Sequence, residues 1–355
     1  MIENALKGNR PYWIWITLLL LVIAFGISAW SQQLRLGLSV TGMGDGVRSG
    51  ITTMQFAFMA AVAASTILVV LPYLHDYKPF GSIVLIAQFL GASASATALL
   101  SLFIDMGKPQ LMLDLWRYAT PQSPYSWAFF LLTGYFLINL VTGWATLGAE
   151  RKGVPTASWV KPLIYLSIPW AIALAIVSGF VFINFPGNHW IASLLTIHLL
   201  ASAFAGGTAL LLLIILILKK TSDFDAGSEV TDKLVMLVTY AGSCAFALIG
   251  LECFAKSQVL PLLWLLLLLG IASIAVFFVP TWKSSISWLI AASAGVVVSI
   301  LAEKGIALLY SSMGGIVAYT PTVKEVSMTL GVLALGILFL TILLKAVVAV
   351  KTADQ

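Results

Sequence analysis

Charge is what this sequence has least of. Only 9% of its 355 residues are Asp, Glu, Lys or Arg, against about 25% in soluble proteins. That shortage excludes a surface wetted on all sides. With 60% hydrophobic residues and a mean hydropathy of +1.02, the chain reads as an all-α, polytopic membrane protein. The net charge of +5 would suggest a nucleic-acid partner in a soluble protein. Here the basic residues sit in short segments between apolar runs, where they set topology, and no nucleic-acid partner is expected.

Cysteine and histidine are almost as rare. Cys244 and Cys253 lie in one apolar segment, roughly 13 Å apart along a helix, too far for a disulfide. An iron–sulfur cluster takes about four cysteines, so none is expected in this chain. The histidines are His75, His189 and His198. His75 falls at the opposite membrane face from His198, on the order of 20 Å away, which argues against a bis-histidine haem b. There is no P-loop, no GxGxxG after a strand and no metal-spaced His/Cys cluster, so no metal site is expected.

Long apolar runs are what the sequence does have. They fall at about 12–31, 51–74, 80–104, 124–148, 161–185, 190–218, 233–255, 258–280, 285–310 and 324–350, which predicts ten transmembrane helices. Lys7 and Arg10 precede the first run as in a signal peptide. The run is long and lacks an A-x-A-type exit, so it reads as an uncleaved helix. With both termini in the cytoplasm, twelve of the 19 lysines and arginines fall on the inner side, which favours that orientation in the cell (cytoplasmic/inner) membrane. The whole chain reads as one integral membrane domain. "QFAFMAAVAAST" from Gln55 and "HLLASAFAGGTA" from His198 form a weak repeat that pairs Ser65 with Thr208. Two four-helix bundles follow from it, helices 2–5 at about 51–185 and helices 6–9 at about 190–310, flanked by helices 1 and 10.

Local signals fix some helix ends. In "FIDMGKPQLMLDLW" (Phe103 to Trp116), Gly107 suits a left-handed C-terminal cap. Lys108 is pushed out of helical angles by the proline after it, and Pro109 suits the first turn of a new helix. Helix 3 should therefore stop near Asp105. A short interfacial helix should follow, with Trp116 and Tyr118 at headgroup level. "TVKE" (Thr322 to Glu325) has the form of a capping box, starting helix 10 after Thr322. "TGMGDGVRSG" (Thr41 to Gly50) reads as an outer loop able to approach a docked partner closely.

Ionisable groups within a membrane cost several kcal/mol unless partnered, and mark candidate sites. Gln55, Asp105, His198, Glu252, Lys256, Glu303 and Lys304 all fall in the outer third, with Arg48 and Arg117 just above them. His75 and Asp76 are the proton candidates at the inner face. Asp105 stands at the negative end of its own helix and is partly buried, while Lys108, Arg48 or Arg117 would offset both effects. It is therefore a candidate for proton exchange, or else one half of an interfacial ion pair. His198, Glu252, Lys256, Glu303 and Lys304 make a second polar cluster, in which the acids pair with the lysines.

"DMGKP" at the end of the third helix resembles the D-x-G-[RK]-P signature of the polysulfide-reductase-type (NrfD-like) integral membrane subunits. "QFAFMAAVAASTILVVLPYLHDYKPFG", "SPYSWAFFLLTGYFLINLVTGW" and "YTPTVKE" are similar to the ten-helix, DsrP-like branch associated with the DsrMKJOP complex. The resemblance implies a subunit without haem or iron–sulfur cluster of its own, part of a quinol-dependent oxidoreductase complex of dissimilatory sulfur metabolism. It would exchange electrons between quinone, of menaquinone type, and a ferredoxin-like iron–sulfur subunit on the outer face. A multihaem cytochrome c, a haem-b membrane subunit and a cytoplasmic iron–sulfur subunit would complete the assembly. Family quinone sites map onto Gln55 and Asp105, with glutamine standing where some members have histidine. On that reading Gln55 holds a quinone oxygen and Asp105 exchanges its proton. Arg48 or Lys108 tunes the acid, and Phe56, Met59 and Trp127 form the apolar slot. The alternatives are a proton-conducting or secondary transporter, or a passive anchor for redox partners.

Overall fold

The computed structural model describes residues 9–42, 50–74, 78–118, 120, 122–183, 192–222, 224–255, 261–313 and 319–351. Those residues form ten long helices. α1 is Arg10–Leu36. α2 runs as Ile51–Ser65 and, past Thr66, as Ile67–Leu74. α3 is Val84–Asp105, α4 Pro124–Arg151 and α5 Val160–Ile183. α6 is Ala192–Thr221, α7 Ser228–Ala255 and α8 Pro261–Phe278. α9 is Ile286–Met313 and α10 Val323–Lys351. Nine of them contain a stretch long and apolar enough to cross a bilayer, and α8 contributes the shorter apolar stretch Leu263–Phe278. In a bilayer each backbone polar group needs a partner within its own segment, and helices supply it. The protein is a multi-pass, all-helical membrane protein.

Packing resolves the helices into the two expected groups. α2, α3, α4 and α5 each touch the next, and α5 closes back on α2. α6, α7, α8 and α9 form a second such ring, with α9 closing on α6. The rings meet where α2 packs on α6, and the α1–α10 pair leans on α3. Lipid tails are as apolar as the helices, so association depends on close packing of small residues. A Cβ on Gly207 of α6 would fall 2.0 Å from Ser65 Oγ of α2, and one on Gly26 of α1 would fall 2.7 Å from Gly331 Cα of α10.

The local signals around "DMGKP" act as expected. α3 stops at Asp105, Gly107 takes φ +73° and Lys108 is extended at φ −129°, ψ 120°. A short helix, Pro109–Arg117, follows, and Trp116 and Tyr118 are exposed at its end. α1 is longer than its apolar run, continuing to Leu36 and a single 3-10 turn, Gly37–Val40. Its stop is conformational: Gly37 has φ +71°, which residues with a Cβ rarely adopt. α2 is interrupted at Thr66, whose hydroxyl donates to Ala63 O (2.8 Å) and lies 3.1 Å from the Tyr135 hydroxyl of α4.

The α1–α10 contact should be the more sensitive one, since backbone faces backbone there. Gly26→Val is expected to lower the melting temperature of the detergent-solubilised protein, at a cost of about 1–3 kcal/mol. Gly148→Ala, where nothing lies within 4 Å of the added carbon, should leave it unchanged or slightly higher.

Candidate functional site

Three helix ends and one loop converge at the end of α3. Thr52 Oγ1 donates to Asp105 Oδ1 at 2.6 Å, and Thr53 Oγ1 lies 3.0 Å from both carboxylate oxygens. Both threonines belong to the first turn of α2 and are buried, while Asp105 is partly exposed. Hydroxyls that donate to both oxygens suit an ionised carboxylate, which only accepts. Asp105 also faces the positive, N-terminal end of α2, which opposes the unfavourable end of its own helix. In the sequence only the effect of α3 is evident. Below Asp105, the Gln33 amide of α1 donates to Ile104 O at 3.0 Å, satisfying one of the carbonyls a helix leaves open at its end.

A second carboxylate comes from α10. Thr322 caps α10 through a 3.3 Å bond from Glu325 N, as "TVKE" predicts, and its hydroxyl also donates to Val40 O (2.9 Å). In a capping box the acid would turn back to the cap residue's own N–H. Glu325 instead accepts from the Tyr319 hydroxyl at Oε1 and from Gly42 N–H at Oε2, the latter at 3.1 Å. The Tyr319 oxygen in turn accepts from Ile51 N–H at 3.1 Å. Glu325 is fully buried, and a Cβ on Gly50 would fall 1.9 Å from its Oε1. Burial and the bond to Glu325 push the Tyr319 hydroxyl above its ordinary value, with the Asp105 charge adding to the effect, so Tyr319 stays protonated. The first turn of α2 is thus held by two acids, Asp105 at Thr52 and Thr53, and Glu325 through Tyr319 at Ile51.

The other expected residues are distributed differently. Lys108 is exposed, and among the described residues no cation pairs with Asp105. The Gln55 amide lies against α10, and in the orientation that satisfies both of its atoms its nitrogen donates to Thr329 O (2.9 Å) and its oxygen accepts from Leu333 N (3.1 Å). This corrects the expectation of an amide free for a ligand, since both of its atoms fasten α2 to α10. Phe56 is buried in the core, Met59 packs partly buried against that core, and Trp127 is 50% exposed. Arg48, His75, Asp76, His189 and Lys256 lie outside the described residues.

In the second bundle, His198 Nε2 is 2.9 Å from Glu303 Oε1, both buried, and Lys304 Nζ donates to Ser202 Oγ at 3.2 Å. The expected pairing of Glu303 with Lys304 is thus corrected: Glu303 pairs with His198 from α6 and Lys304 turns to Ser202, while Glu252 occupies the last turn of α7. At the opposite end of the first bundle Lys351 binds Glu150 (2.9 Å) and Gly81 O (3.0 Å). Among the described residues no group of three or more His, Cys, Asp or Glu is placed to hold a metal ion.

The pattern of the polysulphide reductase, NrfD family matches residues 39–316, most of the chain and both bundles. The protein belongs to the NrfD family. Among similar proteins is a putative membrane component of dimethyl sulfoxide reductase from Halobacterium salinarum. It is 24% identical over 230 residues, 60% of this chain and 53% of that protein. Another is an Hdr-like menaquinol oxidoreductase integral membrane subunit of Archaeoglobus fulgidus, 28% identical over 128 residues, 36% of this chain and 32% of that protein. The chain thus spans about half the length of the first relative and about a third of the second. The NrfD match ends before Tyr319, so α10 and its acid stand outside it, as does α1.

Sequence reasoning found Asp105 and missed Thr52, Thr53, Tyr319 and Glu325. The threonines look ordinary at a helix start, and the capping form of "TVKE" assigned Glu325 a purely local task. For the second-bundle pair, His198→Leu should destabilise the protein by about 3 kcal/mol by leaving the Glu303 charge without its partner. Adding Glu303→Leu should recover part of that loss, read as melting temperatures of both variants in detergent.

Proposed function

We propose that this NrfD-family subunit exchanges electrons between a quinone of menaquinone type and an iron–sulfur subunit docked at the Asp105 end of the membrane domain. The observation that carries the reading is the Asp105 carboxylate: partly exposed at the membrane edge, held by the neutral Thr52 and Thr53 hydroxyls, and able to accept a proton. Hydroquinone sites need mostly apolar walls with few polar groups, and the start of α2 between α3 and α10 offers that balance. The name of the Archaeoglobus relative, a menaquinol oxidoreductase membrane subunit, supports the same chemistry.

A bound quinone would supply two-electron chemistry coupled to proton release. The residues of this chain would hold and deprotonate it. Asp105 acts as general base, Thr52 and Thr53 fix its orientation, and Gln55 keeps α10 against the site. On this proposal the Asp105 end faces the extracytoplasmic side and both termini face the cytoplasm. The partner there resembles a ferredoxin. Cytochrome c, haem-b and cytoplasmic iron–sulfur subunits belong to the same complex, in a pathway of sulfur metabolism.

One observation favours a second reading. The break in α2 at Thr66, beside Tyr135 and the Asn139 amide that donates to Tyr135 O (2.9 Å), places polar groups deep in the first bundle, as a proton-conducting protein requires. Proton flux into liposomes holding this chain alone would support it.

Asp105→Asn keeps the shape and removes the base. It should leave the complex assembled and cut quinol-dependent reduction of the iron–sulfur partner by about 100-fold or more. Wild-type turnover in that variant would reject the assignment.

A further inference from the structure

We propose that Glu325 is a second proton acceptor for the Asp105 site, reached through the Tyr319 hydroxyl. The inference rests on the hydroquinone reading and extends it to a helix that the family pattern does not cover.

Oxidation of a hydroquinone to a quinone breaks two O–H bonds and releases two protons and two electrons. The electrons leave to the one-electron iron–sulfur acceptor of the docked partner. Asp105 takes one proton, and a single carboxylate takes only one. The second needs another base at the same place, and Glu325 meets the same turn of α2, through Tyr319 at Ile51 N–H.

Both oxygens of Glu325 accept bonds, from Tyr319 O–H and from Gly42 N–H, an arrangement that suits the ionised acid. Glu325 lies in the first turn of α10, where the helix N-terminus favours the anion. It is fully buried, so its proton must arrive through a neighbour. The Tyr319 oxygen has two lone pairs, one occupied by Ile51 N–H. At the other it accepts a hydroxyl proton while passing its own to Glu325 Oε1, and the phenol ends neutral. A helix cap alone needs none of this, because Thr322 already caps α10.

The test is infrared difference spectroscopy of the intact complex as it reacts with a soluble menaquinol analogue, with turnover measured alongside. Wild type should gain two protonated-carboxyl bands. Asp105→Asn should remove one and Glu325→Gln the other, with Glu325→Gln also slowing turnover. Tyr319→Phe should suppress the Glu325 band and keep the Asp105 band, and it decides the matter if Glu325→Gln does not assemble. Both bands surviving in Glu325→Gln, or in Tyr319→Phe, overturns the role of Glu325 while leaving Asp105 in place. No band in wild type overturns the hydroquinone reading itself.

Discussion

A carboxylate at the edge of a membrane has to find donors, because charge left unpaired in apolar surroundings costs several kcal/mol. Here the donors come from one place, the first turn of α2. Thr52 and Thr53 serve Asp105, and Ile51 N–H reaches Glu325 by way of Tyr319. Those bonds draw together the end of α3, the start of α10 and the loop at Gly42. Around that junction the rest of the packing is consistent: Gln33 of α1 closes the end of α3, and Gln55 ties α2 to α10 one turn below.

The two bundles differ in how they treat buried charge. The first leaves its acid partly exposed and bonded by hydroxyls, with no cation at ion-pair distance among the described residues. The second buries its acid against His198 with Lys304 next in sequence. A carboxylate held by neutral donors exchanges a proton with little change elsewhere. One locked to a buried histidine does so only by disturbing the pair. That contrast supports placing the proposed proton chemistry in the first bundle rather than at the His198–Glu303 pair.

Much of the fold was legible because membrane helices announce themselves by length and apolarity. The turn at Gly107 and Pro109, and the cap at Thr322, follow from local rules that act within a few residues. The site was legible only in part. Asp105 stood out as an acid at a helix end, but its donors lie about 50 residues earlier, and Gly42 lies 283 residues before Glu325. Which hydroxyl meets which acid is decided by how α2, α3 and α10 pack, and apolar helices leave that register open. Gln55 shows the same limit: its depth was evident in the sequence, while its direction, into the backbone of α10, was not.

On the proposed function, a hydroquinone binds where α2 begins, between α3 and α10. Photolabelling the assembled complex with an azido-quinone, followed by peptide mapping, tests it most directly. Label is expected on segments near Thr52, Asp105 and Tyr319, displaced by excess menaquinol analogue. Displaceable label confined to the second bundle, around His198 and Glu303, would contradict it.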